Sequence, residues 1–427
     1  MRKTIICLLG AMSAGGFGPS DTDSLNRGEH VLTTIKAGDS QPNWQMTSRD
    51  ARYESAMPWS VKRFQLHGGK QEGCELIVLD NGKLQITIIP TRGMSVLEVK
   101  SGDVRLGWNS PVKQVVHPQF MRLESRDGLG WLEGFNEWMV RCGLEFAGHP
   151  GKDEFVNNVG EKATMDLTLH GKIGNIPASE VSVVVDRDAP HRIRVKGTVY
   201  EQAFYGPKLE LATEISTEPG ADTFRIEDHV TNHGAFEQEY QVIYHCNFGP
   251  PLLGKGSRVL TAARRIAPFN DHAAEGLSNW DAYDGPTKGF IEQVYCFVPI
   301  AMADGRGLVM LENNAADRAV TIRWKTDQLP YLTVWKNTAA TEDGYVTGLE
   351  PGTGFPYNRR IERIAGRVPK LAAGDTRDFR LDVGIHVGKP AVSAEAAEIA
   401  KLQNGSRMEV DSKPPRPPES AESPKTP

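Results

Sequence analysis

The 427-residue chain is short of several features that would mark particular functions. It has five cysteines, at 7, 74, 142, 246 and 296, and no two stand at a C-x-x-C spacing. That excludes a zinc ribbon or a dithiol redox motif, and the odd number argues against a full disulfide framework. Basic residues form no block: the net charge is -5 with both signs interspersed, so nothing suggests binding to a nucleic acid backbone. No apolar run approaches the ~20 residues of a membrane-spanning helix, so no membrane span is expected. There is no G-x-S-x-G nucleophile elbow, and Gly68-Gly69-Lys70 lacks the rest of a P-loop and reads as a turn. His67, His117 and His149 each lie next to glycine or proline but share no ligand spacing, so no metal is assigned.

What the chain has in quantity is glycine, 43 residues, with 27 prolines: the punctuation of many short strands and tight turns. The dominant apolar period is two. Leu84, Ile86 and Ile88 alternate with Lys83, Gln85 and Thr87 just after the turn signal Asp80-Asn81-Gly82. Ile193, Val195 and Val199 alternate with Arg194, Lys196 and Thr198. Phe224, Ile226 and Val230 do the same, with Asp228 falling on their face. Strands with one buried and one wet face produce this pattern. Turn signals recur too often for helices between the strands, which disfavours a βαβ architecture. The expected fold is all-β: a large antiparallel β-sandwich with few short helices.

The expected organisation has five parts. Residues 1–18 have the outline of a secretory signal peptide: Arg2 and Lys3, a short apolar run from Thr4 to Met12, then small residues. This implies export to a periplasmic or extracellular location, the alternative being a cytoplasmic protein if the segment is not a signal peptide. Residues 19–50 read as a polar arm, and 51–389 as the sandwich. Residues 390–405 hold a short helix over Glu395 to Leu402, with Ser393 as its N-cap and Gly405 past its end. The proline-rich tail 406–427 is expected to be disordered.

Four glycine- and proline-punctuated segments each place one Arg, His or Glu at a strand end or turn, where backbone and side chain can face a ligand. They are Pro90 to Met94, Leu169-His170-Gly171-Lys172, Tyr244 to Pro250 and Gly348 to Thr353. A lone residue of any of these types is more often structural; it is the four in this order that carry information.

In this order, with Trp108-Asn109-Ser110-Pro111, Cys142-Gly143-Leu144 and Pro356-Tyr357-Asn358-Arg359, they resemble the galactose-mutarotase-like superfamily of aldose epimerases, in its large uncharacterised branch. The resemblance runs from Trp59 to Val387. It implies a supersandwich with a concave sheet that binds a monosaccharide or small saccharide, with no metal or other cofactor. Carried over, His245 protonates the ring oxygen and Glu350 takes the anomeric hydroxyl proton. His170 binds near the ring oxygen, and Arg92 contacts hydroxyls.

Hemiacetal opening needs a base at the anomeric oxygen and an acid at the ring oxygen, and a carboxylate with an imidazole supplies both. Sugar sites also need flat apolar surfaces and hydroxyl partners. Trp108, Trp131, Trp138, Phe248, Tyr331 and Trp335 are candidates for the first, and Lys336 and Asn337 for the second. Asn247, two residues after His245 on a presumed strand, shares its face and is a further substrate-binding candidate. The competing expectations are a carbohydrate-binding protein without catalysis, or a lyase or hydrolase of modified sugars on the same fold. The oligomeric state is left open.

Overall fold

In a computed structural model, residues 28–51, 55 and 57–415 are described. The expected signal segment 1–18 and the end of the tail, 416–427, lie outside them. Two large sheets face each other. The ten-stranded sheet has at its centre Thr376–Val387, Thr223–Asn232, Lys208–Thr217 and Ile193–Gln202, in that order, all antiparallel. The thirteen-stranded sheet has at its centre Tyr331–Asn337, Val346–Gly352, Gln241–Phe248 and Met139–Leu144, again antiparallel. The described chain is therefore the antiparallel β-sandwich that the alternation anticipates.

The period-two residues meet between the sheets. Ile193, Val195, Val199, Phe224, Ile226 and Val230 pack with Ile77, Leu79, Leu84, Ile86 and Ile88 in one continuous core. Asp228, out of place in the apolar pattern, receives hydrogen bonds from Arg141 (Nε at 2.5 Å, Nη2 at 2.9 Å), Tyr244 Oη at 2.6 Å and Thr213 Oγ1 at 2.6 Å. A buried charge is tolerated only when paired and fully hydrogen-bonded, and Asp228 is both. The network ties the ten-stranded sheet to the strands that carry the site.

Three boundaries differ from expectation. The polar arm contributes strands: Glu29–Thr34 pairs with Glu180–Val185, and Trp44–Thr47 pairs with the strand Ser60–Gln65. Leu32 is buried in the core, and Arg63 beneath it bonds the Leu32 carbonyl and Glu75. Its alternation is too short to stand out among Gly, Ser, Thr and Asp. The helix runs Lys389–Gln403, starting earlier because Pro390 occupies its first turn, where a missing N–H is harmless. Within the tail, Glu409–Val410 adds a short parallel pairing to Arg265–Ile266. No helix among the described residues is long and apolar enough to cross a membrane.

Candidate active site

Strand register builds the centre of the site. Cys246 pairs with Leu349 and Asn247 with Gly348, which sets His245 opposite Glu350; Glu350 in turn pairs with Thr333, and Gly348 with Trp335. Since alternate residues share a face, His245, Glu350, Thr333 and Trp335 converge on the side away from the sandwich core. Their neighbours Val242, Tyr244, Cys246 and Phe248 point into that core. All eight residues of Gln241–Phe248 are buried, because the outer face is roofed by the segment from Trp108 to Phe135. A strand covered on both faces loses its polar alternation.

The resulting cleft has a volume of about 1010 Å³ and is lined by Trp108, Trp131, Phe135, His170, His245, Trp335 and Glu350, with charged residues at its mouth. His245 Nε2 lies 3.3 Å from Glu350 Oε1. Both side chains are buried, and Glu350 Oε1 makes no hydrogen bond among the described residues. The Phe135 ring lies 5.2 Å and Trp335 5.4 Å from the His245 ring, both edge-on. Trp131 spans His170 and Phe135, at 4.7 and 4.6 Å.

Asn247 fixes the His245 tautomer. Its Nδ2 donates to the carbonyls of Glu137 at 3.1 Å and His245 at 3.0 Å. Its Oδ1, 2.7 Å from His245 Nδ1, must therefore accept, so Nδ1 carries a proton and Nε2 is the atom free to exchange one. Burial pulls the His245 imidazolium down to about 4, opposed by the Asn247 hydrogen bond. Burial pushes the Glu350 carboxyl well above the usual range, and the negative charge of Glu292 adds to it. Both directions favour the uncharged pair, carboxylic acid beside imidazole. His170 is pulled well below the usual imidazole range by burial, then by His245 and His149.

Gly348 makes the contact possible. A Cβ there would lie 2.5 Å from Glu350 Oε1 and 3.3 Å from both the His245 and Trp335 rings. Two other glycine motifs explain His170. A Cβ on Gly171 would meet the Phe146 carbonyl at 2.2 Å and that of Gly143 at 2.4 Å, so Leu169-His170-Gly171 is locked against Cys142-Gly143-Leu144. Gly143 N donates to His170 O at 3.0 Å, and the ring is held 5.2 Å from that of His245.

Of the residues expected to bind substrate, Trp108, His170 and Trp335 line the cleft, as do Trp131 and Asn337. Trp108 Nε1 donates to Glu137 O at 3.2 Å, and Trp335 Nε1 to Glu292 Oε2 at 2.7 Å, so both rings are held in place. Three expectations are corrected. Arg92 is fully buried behind the site, ion-paired to Glu137 at 2.8 Å and donating to Gly134 O, because Pro90 to Met94 packs against the turn at Ile173 and Gly174. Lys336, one residue from Trp335, points to the opposite face; its Nζ donates to the carbonyls of Asn279 and Ala282 beside the rings of Tyr283 and Tyr295. Asn247 faces the right way but is fully buried beneath His245, where it orients the imidazole rather than reaching a ligand. Trp138 and Phe248 are core residues, and Tyr331 packs against Phe355.

Phe135, Glu292 and the charged residues of the mouth carried no motif. Arg126 and Asp127 at that mouth both adopt left-handed backbone, φ 54° and 59°, a conformation that non-glycine residues adopt at a cost. Among the described residues no group of three or more His, Cys, Asp or Glu is disposed to hold a metal.

The architecture is that of the galactose-mutarotase-like superfamily. A galactose mutarotase-like protein from Clostridium acetobutylicum shares the fold at 13% identity, with a TM-score of 0.52 over 81% of this chain and 99% of that one. A much nearer structure, from Klebsiella pneumoniae, is described as a candidate aldose 1-epimerase. It is 42% identical and covers 90% of this chain and 98% of its own, with a TM-score of 0.85. The chain belongs to the family described as Domain of unknown function (DUF4432), whose model matches residues 71–385. No protein of curated function matches it.

Proposed function

We propose that the protein is an isomerase of the aldose 1-epimerase type, interconverting the anomers of an aldose by acid–base ring opening. The observation that carries this reading is the buried pair His245 Nε2–Glu350 Oε1 at 3.3 Å, with the proton on Nδ1 fixed by Asn247. The anomeric and ring oxygens of a hemiacetal share one carbon, so acid and base must lie close together. A pair sharing one proton also serves both directions of a reversible reaction.

Sugar hydroxyls donating to Glu350 favour its ionised form, and its proton passes to His245 Nε2 with no change in total charge. Glu350 then removes the anomeric hydroxyl proton while His245 donates to the ring oxygen. The C1–O5 bond breaks as the C1–O1 double bond forms. Rotation about C1–C2 presents the other face of the aldehyde, and the same steps in reverse close the ring. Each group contributes about 10²–10⁴-fold. Trp335 and Trp108 offer flat surfaces to the sugar's C–H faces, and His170 faces the pair from the side.

A binding protein without catalysis has no use for an unpaired buried carboxyl next to an imidazole, since such a group destabilises the fold. The test is anomer exchange on a panel of aldoses, followed by NMR saturation transfer. The reading predicts exchange above the buffer rate for at least one aldose, abolished in Glu350→Gln.

A further inference from the structure

The ten-stranded sheet has an outer face of its own, on the opposite side of the sandwich from the cleft. A half-open trough of about 480 Å³ lies on that face beside the helix Lys389–Gln403. Strand register builds it. Arg225 pairs with Ser216 on one side and Asp382 on the other, and Asp382 pairs with Arg323. Arg380 and Gly384 follow two residues to either side of Asp382. Since alternate residues share a face, all six lie on the side away from the core that Phe224, Leu381 and Val383 enter.

Two of the five arginines in the lining are matched by carboxylates of their own. Arg323 Nη2 donates to Glu395 at 2.5 Å and Glu398 at 2.8 Å, which fixes the helix as one wall. Arg192 Nη2 donates to Glu218 at 2.9 Å. The other three share Asp382. It accepts from Arg225 Nε at 2.7 Å and Arg380 Nε at 3.0 Å, and Arg306 Nη1 stands 3.8 Å away. Arg306 Nε also meets Asp304 at 2.6 Å, and Arg225 lies 3.8 Å from Glu227. Both of these carboxylates are partly exposed and outside the trough, where an ion pair contributes little. Both Nη groups of Arg225 and of Arg306, and Nη1 of Arg380, make no hydrogen bond among the described residues.

The floor gives an independent sign of a ligand. Ser216 is 2% exposed, and its Oγ has no hydrogen-bond partner among the described residues. A buried hydroxyl is rarely left that way. Gly384 keeps the floor low beside it: a Cβ there would lie 3.1 Å from both Thr321 Oγ1 and His386 Nε2, which meet each other at 2.9 Å. A glycine inside a strand often marks a place where another group comes close. Three guanidinium groups on one carboxylate leave positive charge over, and a phosphoryl group, at about −1.5 to −2 near pH 7, balances it. Planar guanidinium forks match its oxygens in pairs, and one of those oxygens gives the Ser216 hydroxyl its acceptor.

We propose that this trough is a phosphate-binding site, taking the phosphoryl group of free phosphate or of a small phosphate monoester against Arg225, Arg306, Arg380 and Ser216. It is independent of the anomer-interconversion reading, whose cleft lies on the other sheet.

The test is calorimetric titration of the full chain with inorganic phosphate and with glycerol 3-phosphate, at ionic strength matched with sodium chloride and with glycerol as the blank. We expect saturable one-to-one binding of at least one of the two. Arg225→Gln and Arg380→Gln should each weaken it by about 10-fold or more. Ser216→Ala, which changes no charge, should weaken it several-fold, and Arg126→Gln, at the mouth of the cleft, should leave it unchanged. Thermal unfolding checks that each variant folds; should Arg225→Gln not fold, Arg380→Gln and Ser216→Ala carry the test. Equal affinity for the two probes assigns the site to free phosphate, and a tighter ester assigns it to a monoester. If neither probe binds, or binding survives both arginine variants, or Arg126→Gln alone abolishes it, the proposal is overturned. If the arginine variants weaken binding and Ser216→Ala does not, the seat on the floor is overturned.

Discussion

Glu350 Oε1 lies 3.3 Å from His245 Nε2 because the pairing of Cys246 with Leu349 sets their strands in register, so a one-residue slip of either strand would turn its own group into the core and separate the two. The site is a product of sheet geometry rather than of a loop. Gly348, two residues before Glu350 on the same face, leaves the carboxyl its room.

Removing either member of the pair should stop catalysis and spare the fold. Glu350→Gln and His245→Ala are each expected to lower the anomer exchange rate by about 10²–10⁴-fold. The double variant should be little worse than either single one, because groups that share one proton act as a unit. Circular dichroism and thermal unfolding check that both variants fold.

A methyl group at Gly348 should act through Glu350. In Gly348→Ala the new Cβ would lie 2.5 Å from Glu350 Oε1, so the carboxyl must move. A displacement near 1 Å can remove about 10²-fold in rate. The expected signature is a fall in kcat with a smaller change in KM, read from full progress curves of anomer exchange.

The pair's charges should appear in stability as well as in rate. Burial raises the folded-state pKa of Glu350 above its ordinary 4.5, so its contribution is fully present below that pH and is lost as pH rises through the folded value. Glu350→Gln should therefore gain Tm relative to wild type as pH rises above 4.5. His245 runs the other way: its folded-state pKa is depressed from 6.5 to about 4, so its contribution is present above 6.5 and is lost as pH falls toward 4. His245→Gln should gain on wild type over that acid window, by roughly 3 kcal/mol at its lower end. A Tm difference that stays flat with pH in both variants would contradict the uncharged pair.

Arg92 separates a structural role from a binding one. Ion-paired with Glu137 and fully buried, it holds the segment whose carbonyl, Glu137 O, anchors both Asn247 and Trp108. Arg92→Met is expected to lose stability by about 3–5 kcal/mol, since it leaves a buried carboxylate alone. Denaturant unfolding measures this; a variant as stable as wild type but raised in KM would restore Arg92 to the substrate.

Much of this was legible in the sequence, for reasons that can be named. Ile193, Val195 and Val199, or Leu84, Ile86 and Ile88, show a wet face and a dry one, and this two-residue period specifies the sandwich. Histidine and glutamate within glycine- and proline-punctuated segments marked His170, His245 and Glu350, and all three line one cleft. The sequence does not distinguish a residue in the cleft from one behind it. Arg92 and Asn247 have the right types and positions, and only three-dimensional packing buries them one layer down. Lys336 was misplaced by adjacency: next to Trp335 in the chain, it lies on the other face of the sheet. Phe135 and the Thr341–Asp343 turn reach the cleft through loops, which leave no periodic signal.

The most direct measurement is saturation transfer between the two anomers of each of a panel of aldoses at equilibrium, with wild-type protein and with Glu350→Gln. For at least one sugar, wild type should transfer saturation well above the buffer rate, and Glu350→Gln, folded, should not. Exchange at the buffer rate for every sugar with wild type, or exchange that persists undiminished in Glu350→Gln, would contradict a catalytic His245–Glu350 pair.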